Sequence, residues 1–184
     1  MSQFTSMNVE QSVAKFLADL FVTAGYKIYW KDTGQTQGTG STVITLLRDF
    51  PPSANLLIKQ SSVLAPGEIK VPAFAISAGS PTTSYAERMG IGETIFRRTM
   101  NIRIDGFVDT EMQWYKFETL FTTWFNPDIR ISLYDQETNI NNPAPTAATQ
   151  KIHLEYTQVF RRELDYDTAA RYYLLVGSLA TFIE

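Results

Sequence analysis

Between residues 96 and 125 the spacing of apolar residues changes period once, and that change limits what the chain can fold into. Phe96, Met100, Ile102, Ile104 and Val108 fall on one side of an alternating run. Arg97, Thr99, Asn101, Arg103 and Asp105 fall on the other. Successive strand side chains point to opposite faces, so this pattern predicts a long strand with one buried face. Arg98 interrupts the apolar side, which places it where the strand projects beyond the core. After Gly106 the period becomes helical. Thr110 is a candidate cap with Gln113 as its capping-box partner, and Trp114, Phe117, Leu120, Phe121, Trp124 and Phe125 fall within one arc. Lys116, Thr119 and Thr123 lie opposite, and Asn126-Pro127 ends the helix. The segment therefore predicts a strand, a tight turn and a helix whose aromatic face is large enough to cover a sheet.

The rest of the chain fits around that unit. Asn8 is expected to cap a first helix with Gln11 as its partner, followed by an apolar stripe of Val9, Val13, Phe16, Leu17, Leu20 and Phe21 that stops at Gly25. Strands are predicted at 26–30, 43–50, 54–60, 71–77, 129–136, 151–164 and 171–183, with Pro72 pushing its strand toward an edge or a strand start. Along 151–164, Ile152, Leu154, Tyr156 and Phe160 share a face. Three long polar loops are expected at 31–42, 78–93 and 137–150, and turns at 65–70 and 165–170. No internal repeat is visible. Few helices, many strands and mostly short connections predict an α+β fold. It should be a mostly antiparallel mixed sheet with two amphipathic helices packed on one face and long polar loops. A single domain over 1–184 is expected, with residues 1–7 as a flexible N-terminal segment.

Composition narrows the function classes. A chain of 184 residues buries roughly 70% of its unfolded surface on folding, so it needs neither metal nor disulfide to be stable. With 44% hydrophobic and 19% charged residues it is an ordinary globule, somewhat poor in charge. A net charge of -3 argues against a dedicated nucleic-acid binder. Cysteine is absent, which removes disulfides, thiolate nucleophiles and thiolate metal sites and fits folding in a reducing cytoplasm. The start of the chain lacks a basic region followed by an apolar run, so no secretory signal is expected. No apolar stretch reaches the ~20 residues that a membrane span requires.

Candidate chemistry is sparse. Asp105, Asp109, Glu111 and Glu118 cluster in sequence, but each has a structural explanation. Asp105 belongs to the polar face of a strand, and Asp109 and Glu111 flank a helix N-terminus, where the helix dipole favours negative charge. Glu118 lies beside the aromatic stripe within reach of solvent. Paired-carboxylate catalysis needs both groups to converge in a cleft. The lone His153 is placed on the solvent side of its strand, cannot form a usual zinc site without partners, and has no GxSxG elbow to serve. Lys31 precedes the glycines of 31–42 rather than following them, so that stretch is a flexible surface loop and no phosphate cradle. The doublets Arg97-Arg98 and Arg161-Arg162 suit edge protection and subunit salt bridges better than phosphate contacts in an acidic chain. No catalytic, metal or cofactor site is expected, and the aromatic residues belong mostly to the core.

The helix VEQSVAKFLADLFV, the strand VPAFAISAG, the unit NIRIDGFVDTEMQWYKFETLFTTWF and the following ISLYDQ, in this order over roughly residues 8–183, resemble the bacteriophage tail terminator (tail-completion or neck) proteins. The resemblance implies no enzyme. It implies a structural virion protein of the tail or neck, assembled in the host cytoplasm. Such a protein forms a homo-oligomeric ring, expected to be a hexamer, that caps the tail tube protein and joins it to the head–tail connector or adaptor protein. DNA would meet it only in transit through the lumen. The polar strand faces and long loops would then make the ring and stacking contacts, with Tyr85, Arg88, Arg97 and Arg103 as subunit or tube interface candidates. Charge reversal at Arg97 and Arg103 is expected to weaken assembly without unfolding the monomer. Alternatives are another neck or tail ring component (a head–tail adaptor or baseplate-side tube protein), a small hydrolase using Asp105 and Glu118, and a monomeric binding module using 78–93.

Overall fold

The computed structural model describes residues 4–48, 70–89, 93–125, 129–134, 151–155, 159–163 and 172–183. The fold is α+β. Helix α1 (Ser6–Thr23) leads into β1 (Lys27–Trp30), β2 (Thr36–Gln37), β3 (Val43–Arg48), β4 (Ala73–Ala78), β5 (Thr82–Met89) and the long β6 (Glu93–Val108). Helix α2 (Glu111–Trp124), β7 (Ile129–Ser132), β8 (Lys151–Glu155), β9 (Val159–Glu163) and β10 (Tyr172–Ile183) follow. The described strands form one ten-stranded sheet in the order β2-β1-β3-β4-β6-β10-β8-β7, with β5 on β6 and β9 on β10. The β1–β3 and β3–β4 pairs are parallel and every other described pair is antiparallel. Both helices lie on one face. Helix α1 touches β1, β3 and β4 near one end of the sheet and β7 at the other, so the twisted sheet curls around it.

The core follows the sequence periods. Met100, Ile102, Ile104 and Val108 of β6 face the helices together with Ile28, Trp30, Ile44, Leu46, Phe74 and Ile76. Helix α1 contributes Val9, Val13, Leu17 and Phe21, and α2 contributes Trp114, Phe117 and Phe121. Phe21 is the hub. Its ring lies 5.1 Å from Phe74, 5.9 Å from Phe117, 6.1 Å from Phe121 and 5.1 Å from Trp124, mostly edge to face. Each such ring pair adds about 0.5–1.5 kcal/mol beyond area burial, so this cluster holds both helices to the sheet. The opposite face has a smaller buried cluster of Leu47, Ala73 and Ala75, next to which Asp105 and Phe107 are also buried.

Several sequence expectations change. The first helix is capped by Thr5, whose hydroxyl accepts from the Asn8 N–H at 3.2 Å. Asn8 and Gln11 are buried within the helix instead of forming its cap. Phe4 is buried in the core, so residues 4–7 belong to the fold rather than to a loose leader; residues 1–3 lie outside the described residues. The second cap is as expected at Thr110, which accepts from Gln113 N–H at 3.2 Å. Gln113 Oε1 reaches back one position further than a capping box requires, to the Asp109 N–H at 3.3 Å. Of the two places expected for Pro72, the strand start holds: it immediately precedes β4, an interior strand flanked by β3 and β6.

The stretch 31–42 is mostly exposed, as expected of a surface loop, but it has regular structure and contacts with α1. It contains β2, and Gln37 Nε2 donates to Asp19 Oδ1 of α1 at 2.9 Å. A Cβ at Gly40 would stand 2.1 Å from the Gly25 carbonyl oxygen, so the loop's glycine content permits close backbone packing at the end of α1. The run 151–164 divides into β8 and β9, which pair with opposite ends of β10 in one register. The expected strand at 54–60 and the loop at 137–150 lie outside the described residues, as do the turns at 65–69 and 165–170.

Candidate assembly surface

The largest departure from expectation concerns 78–93. This stretch was expected as a polar loop, but Thr82–Met89 is β5, which pairs antiparallel with the first half of β6. Polar residues in alternation do not mark a strand by apolar period, and the only periodic partner sits across the turn in β6. Strands β4 and β5 lie end to end along the same side of β6, which has β10 on its other side. The β10 pairing runs from Val108 to Thr99 and goes no further. From Arg98 back to Glu93, β6 is paired only with β5 among the described residues. The two strands therefore leave the sheet as a two-stranded arm. The six steps from Thr99 to Glu93 make it roughly 20 Å long at about 3.3 Å per residue.

Inboard of the point where the arm departs, both neighbours of β6 carry an extra residue, at staggered levels. On one side, Gly79–Pro81 spans the gap between the Ala78–Ile102 and Thr82–Thr99 pairs, three residues against Met100 and Asn101. On the other, Gly177 and Ser178 fall between the Val176–Ile104 and Leu179–Ile102 pairs, against Arg103 alone. The two irregularities are staggered by two to three residues along β6, and the one between β4 and β5 lies next to the root of the arm, where such an irregularity bends the chain and raises its local twist.

The start of α1 grips this root. Glu10 Oε1 accepts from the Ala78 N–H at 2.8 Å, and the Ser6 hydroxyl donates to the Gly79 carbonyl at 3.0 Å. Gly79 N–H itself donates to the Asn101 carbonyl at 2.9 Å, and the hydroxyls of Thr82 and Thr99 lie 2.9 Å apart across the first pair of the arm. Ser12 performs a related task elsewhere on α1. Its hydroxyl donates to the Asn8 carbonyl at 2.6 Å and accepts from Tyr134 N–H at 2.8 Å, tying the end of β7 to the helix. Sequence reading missed Ser6, Glu10 and Ser12. Nothing in their local pattern marks a role, and only the long-range partners reveal it.

The four interface candidates divide into two groups. Tyr85 pairs in register with Phe96, Arg97 with Ser84, and Arg88 lies in β5 toward the tip, so the backbone brings these three into the arm. Arg103 is inboard of the root, on the face away from the helices and in register with Ser77. Its Nε donates to Asp105 Oδ1 at 2.7 Å, with the Arg103 side chain 58% exposed and that of Asp105 10%. Burial raises the Asp105 carboxyl above its ordinary value, and the hydrogen bond and positive charge of Arg103 act in the opposite direction. Arg103 thus anchors a buried carboxylate as well as facing solvent.

The residues weighed for chemistry do not converge. Asp105 lies on the far face of the sheet, whereas Glu118 lies on α2, packed over the helix face. Asp109 and Glu111 sit at the start of α2. His153 is half-buried in β8, registered between Arg130 of β7 and Phe182 of β10, rather than fully facing solvent. Among the described residues, no group of three or more His, Asp or Glu side chains is placed to hold a metal ion. Likewise, no described helix is long and apolar enough to cross a membrane. The chain matches no family model, and no curated protein matches it either.

Proposed function

We propose that this chain is a ring-forming structural subunit of a phage tail, of the tail terminator type, and that the β5–β6 arm makes the contact between neighbouring copies. The observation that supports this reading is the arm itself. A two-stranded ribbon is marginally stable alone in water, so a long one extending past its own sheet suits a subunit whose neighbour covers it. An arm at one place on the fold that docks at a different place on the next copy makes a heterologous contact, which closes into a ring when the rotation per subunit permits. The resemblance in the order of helix, strands and aromatic helix supplies the rest of the proposal. The ring caps the tail tube, adjoins the head–tail connector, and resides in the virion. Its lumen passes DNA without strong phosphate binding, in keeping with a net charge of -3.

The test removes the arm and leaves the sheet. Replacing 84–97 with Asn-Gly keeps the paired part of β6 and closes the hairpin early. Native mass across a concentration series, alone and with purified tail tubes, should show a closed ring or capped tubes for the wild type. The shortened chain should remain a folded monomer. A wild type that stays monomeric and leaves tubes uncapped, or a shortened chain that still assembles, overturns the proposal.

A further inference from the structure

We infer that Ser6 and Glu10 are positioning residues that fix the angle at which the β5–β6 arm leaves the body. Three observations meet near the root of the arm. Between β4 and β5 the chain carries an extra residue opposite Met100 and Asn101, so the ladder on that side of β6 is interrupted at the root; on the other side β10 pairs regularly with both residues and shifts register further inboard, opposite Arg103. Among the described residues the β3 pairing with β4 ends at Arg48–Ile76, and the Ala78 N–H is taken by a side chain of α1. Helix α1 then places two side chains on that segment, Glu10 on the Ala78 N–H and Ser6 on the Gly79 carbonyl. A carboxylate accepting a backbone N–H is among the stronger protein hydrogen bonds. Because α1 is itself locked to the core through Val9, Val13, Leu17 and Phe21, the latch ties the root of the arm to the rigid body.

The consequence rests on the ring reading. If the arm docks on the next copy, its angle sets the rotation per subunit and hence whether the ring closes. A turn of about 10° at the root moves the tip of a ~20 Å arm by roughly 3–4 Å, a distance that spoils side-chain complementarity.

The absence of cysteine makes a direct measurement simple. Spin labels at Thr94→Cys in the distal arm and Thr119→Cys on the exposed side of α2 report the arm's pose in the full-length chain, diluted into unlabelled protein. The doubly labelled parent should give a narrow distance distribution. Glu10→Ala combined with Ser6→Ala should give a broader or displaced one, with an unchanged denaturation midpoint for the core. Glu10→Gln, which retains an oxygen acceptor of the same reach, should restore the narrow distribution. The inference is overturned by a double-alanine distribution that matches the parent. It is also overturned by broadening in Glu10→Gln, which would assign the effect to charge rather than to the Ala78 bond. Should the double variant fail to fold, Ser6→Ala alone is read in the same way. Native mass, measured separately, decides the ring reading: a parent that never assembles defeats that reading while the distance distributions still decide the latch.

Discussion

Strand β6 passes through two environments, and its two halves obey different rules. From Met100 to Val108 it has neighbours on both sides and both helices on one face; Met100, Ile102, Ile104 and Val108 are buried. From Glu93 to Arg98 it has β5 alone among the described residues. A core needs only the first half. The second half continues the β5 pairing beyond the last β10 pair at Thr99, and the irregularity between β4 and β5 lies at the junction. The inner half is shaped by packing against the helices, and in the proposed ring the outer half contacts a neighbouring copy.

The sharpest test of that contrast is to damage each half in turn. Phe121 is fully buried, between the rings of Phe21 at 6.1 Å, Phe74 at 5.3 Å and Phe125 at 5.5 Å. Phe121→Ala removes a ring that both the sheet and α1 pack against and should destabilise the fold by about 3–5 kcal/mol in denaturant titrations. No single substitution in the arm should approach that cost.

Arg103 lies at the boundary and behaves as part of both regions. Its reversal is expected to weaken assembly without unfolding the monomer, and the contact with Asp105 adds a stability cost to that expectation. Arg103→Glu would remove a donor from the buried Asp105 carboxylate and set a like charge beside it. The expected cost is about 1–3 kcal/mol at neutral pH. The pH dependence has a definite sign. Burial raises the Asp105 carboxyl above 3.8, so its contribution to stability is fully present below that value and is lost as pH rises through the higher folded value. The difference between Arg103→Glu and wild type should therefore shrink as pH falls toward 3.8, and Asp105→Asn in the variant background should remove the dependence. Denaturation midpoints across that range check both statements. A penalty constant with pH would show that the ion pair is not its source.

The two helix caps should matter less, and equally. Thr5→Ala and Thr110→Ala each remove a hydroxyl that accepts a first-turn N–H, from Asn8 and Gln113 respectively. Each should cost about 1 kcal/mol. A much larger loss at Thr5 would mean that displacement of the adjacent Phe4 from the core accompanies loss of the cap.

What the sequence disclosed follows the same division. The aromatic helix, the apolar face of β6 and the α+β class were legible because period and burial agree there: Trp114, Phe117 and Phe121 recur at helical spacing and all are buried. Strand β5 was not, because TTSYAERM carries no apolar alternation. Its strand character comes from pairing with β6, which is a long-range fact. The first cap was misplaced for a local reason. Thr5 and Asn8 are both good capping residues three positions apart, and the choice between them depends on burial of Phe4 and Asn8, which propensity does not encode. Ser6, Glu10 and Ser12 were illegible because their partners lie 73, 68 and 122 residues away.

Arg97 gives the smallest expected effect on stability and the most informative one on assembly. Its backbone is placed in the arm opposite Ser84, outside the part of β6 that β4 and β10 enclose. A surface substitution away from core, cap or buried charge changes stability by no more than about 0.5 kcal/mol. Arg97→Glu should thus leave the denaturation midpoint unchanged. If the arm docks on a neighbouring copy, however, it places a carboxylate where the contact was built around a cation, and like-charge juxtaposition at an interface is costly. Native mass at matched concentration should then shift toward monomer for Arg97→Glu, and less so for Arg97→Lys, which keeps the charge. Assembly that is indifferent to both would remove Arg97 from the contact. A drop in stability comparable to Phe121→Ala would collapse the distinction between the two halves of β6, since it would show that the outer half is held by the same core as the inner one.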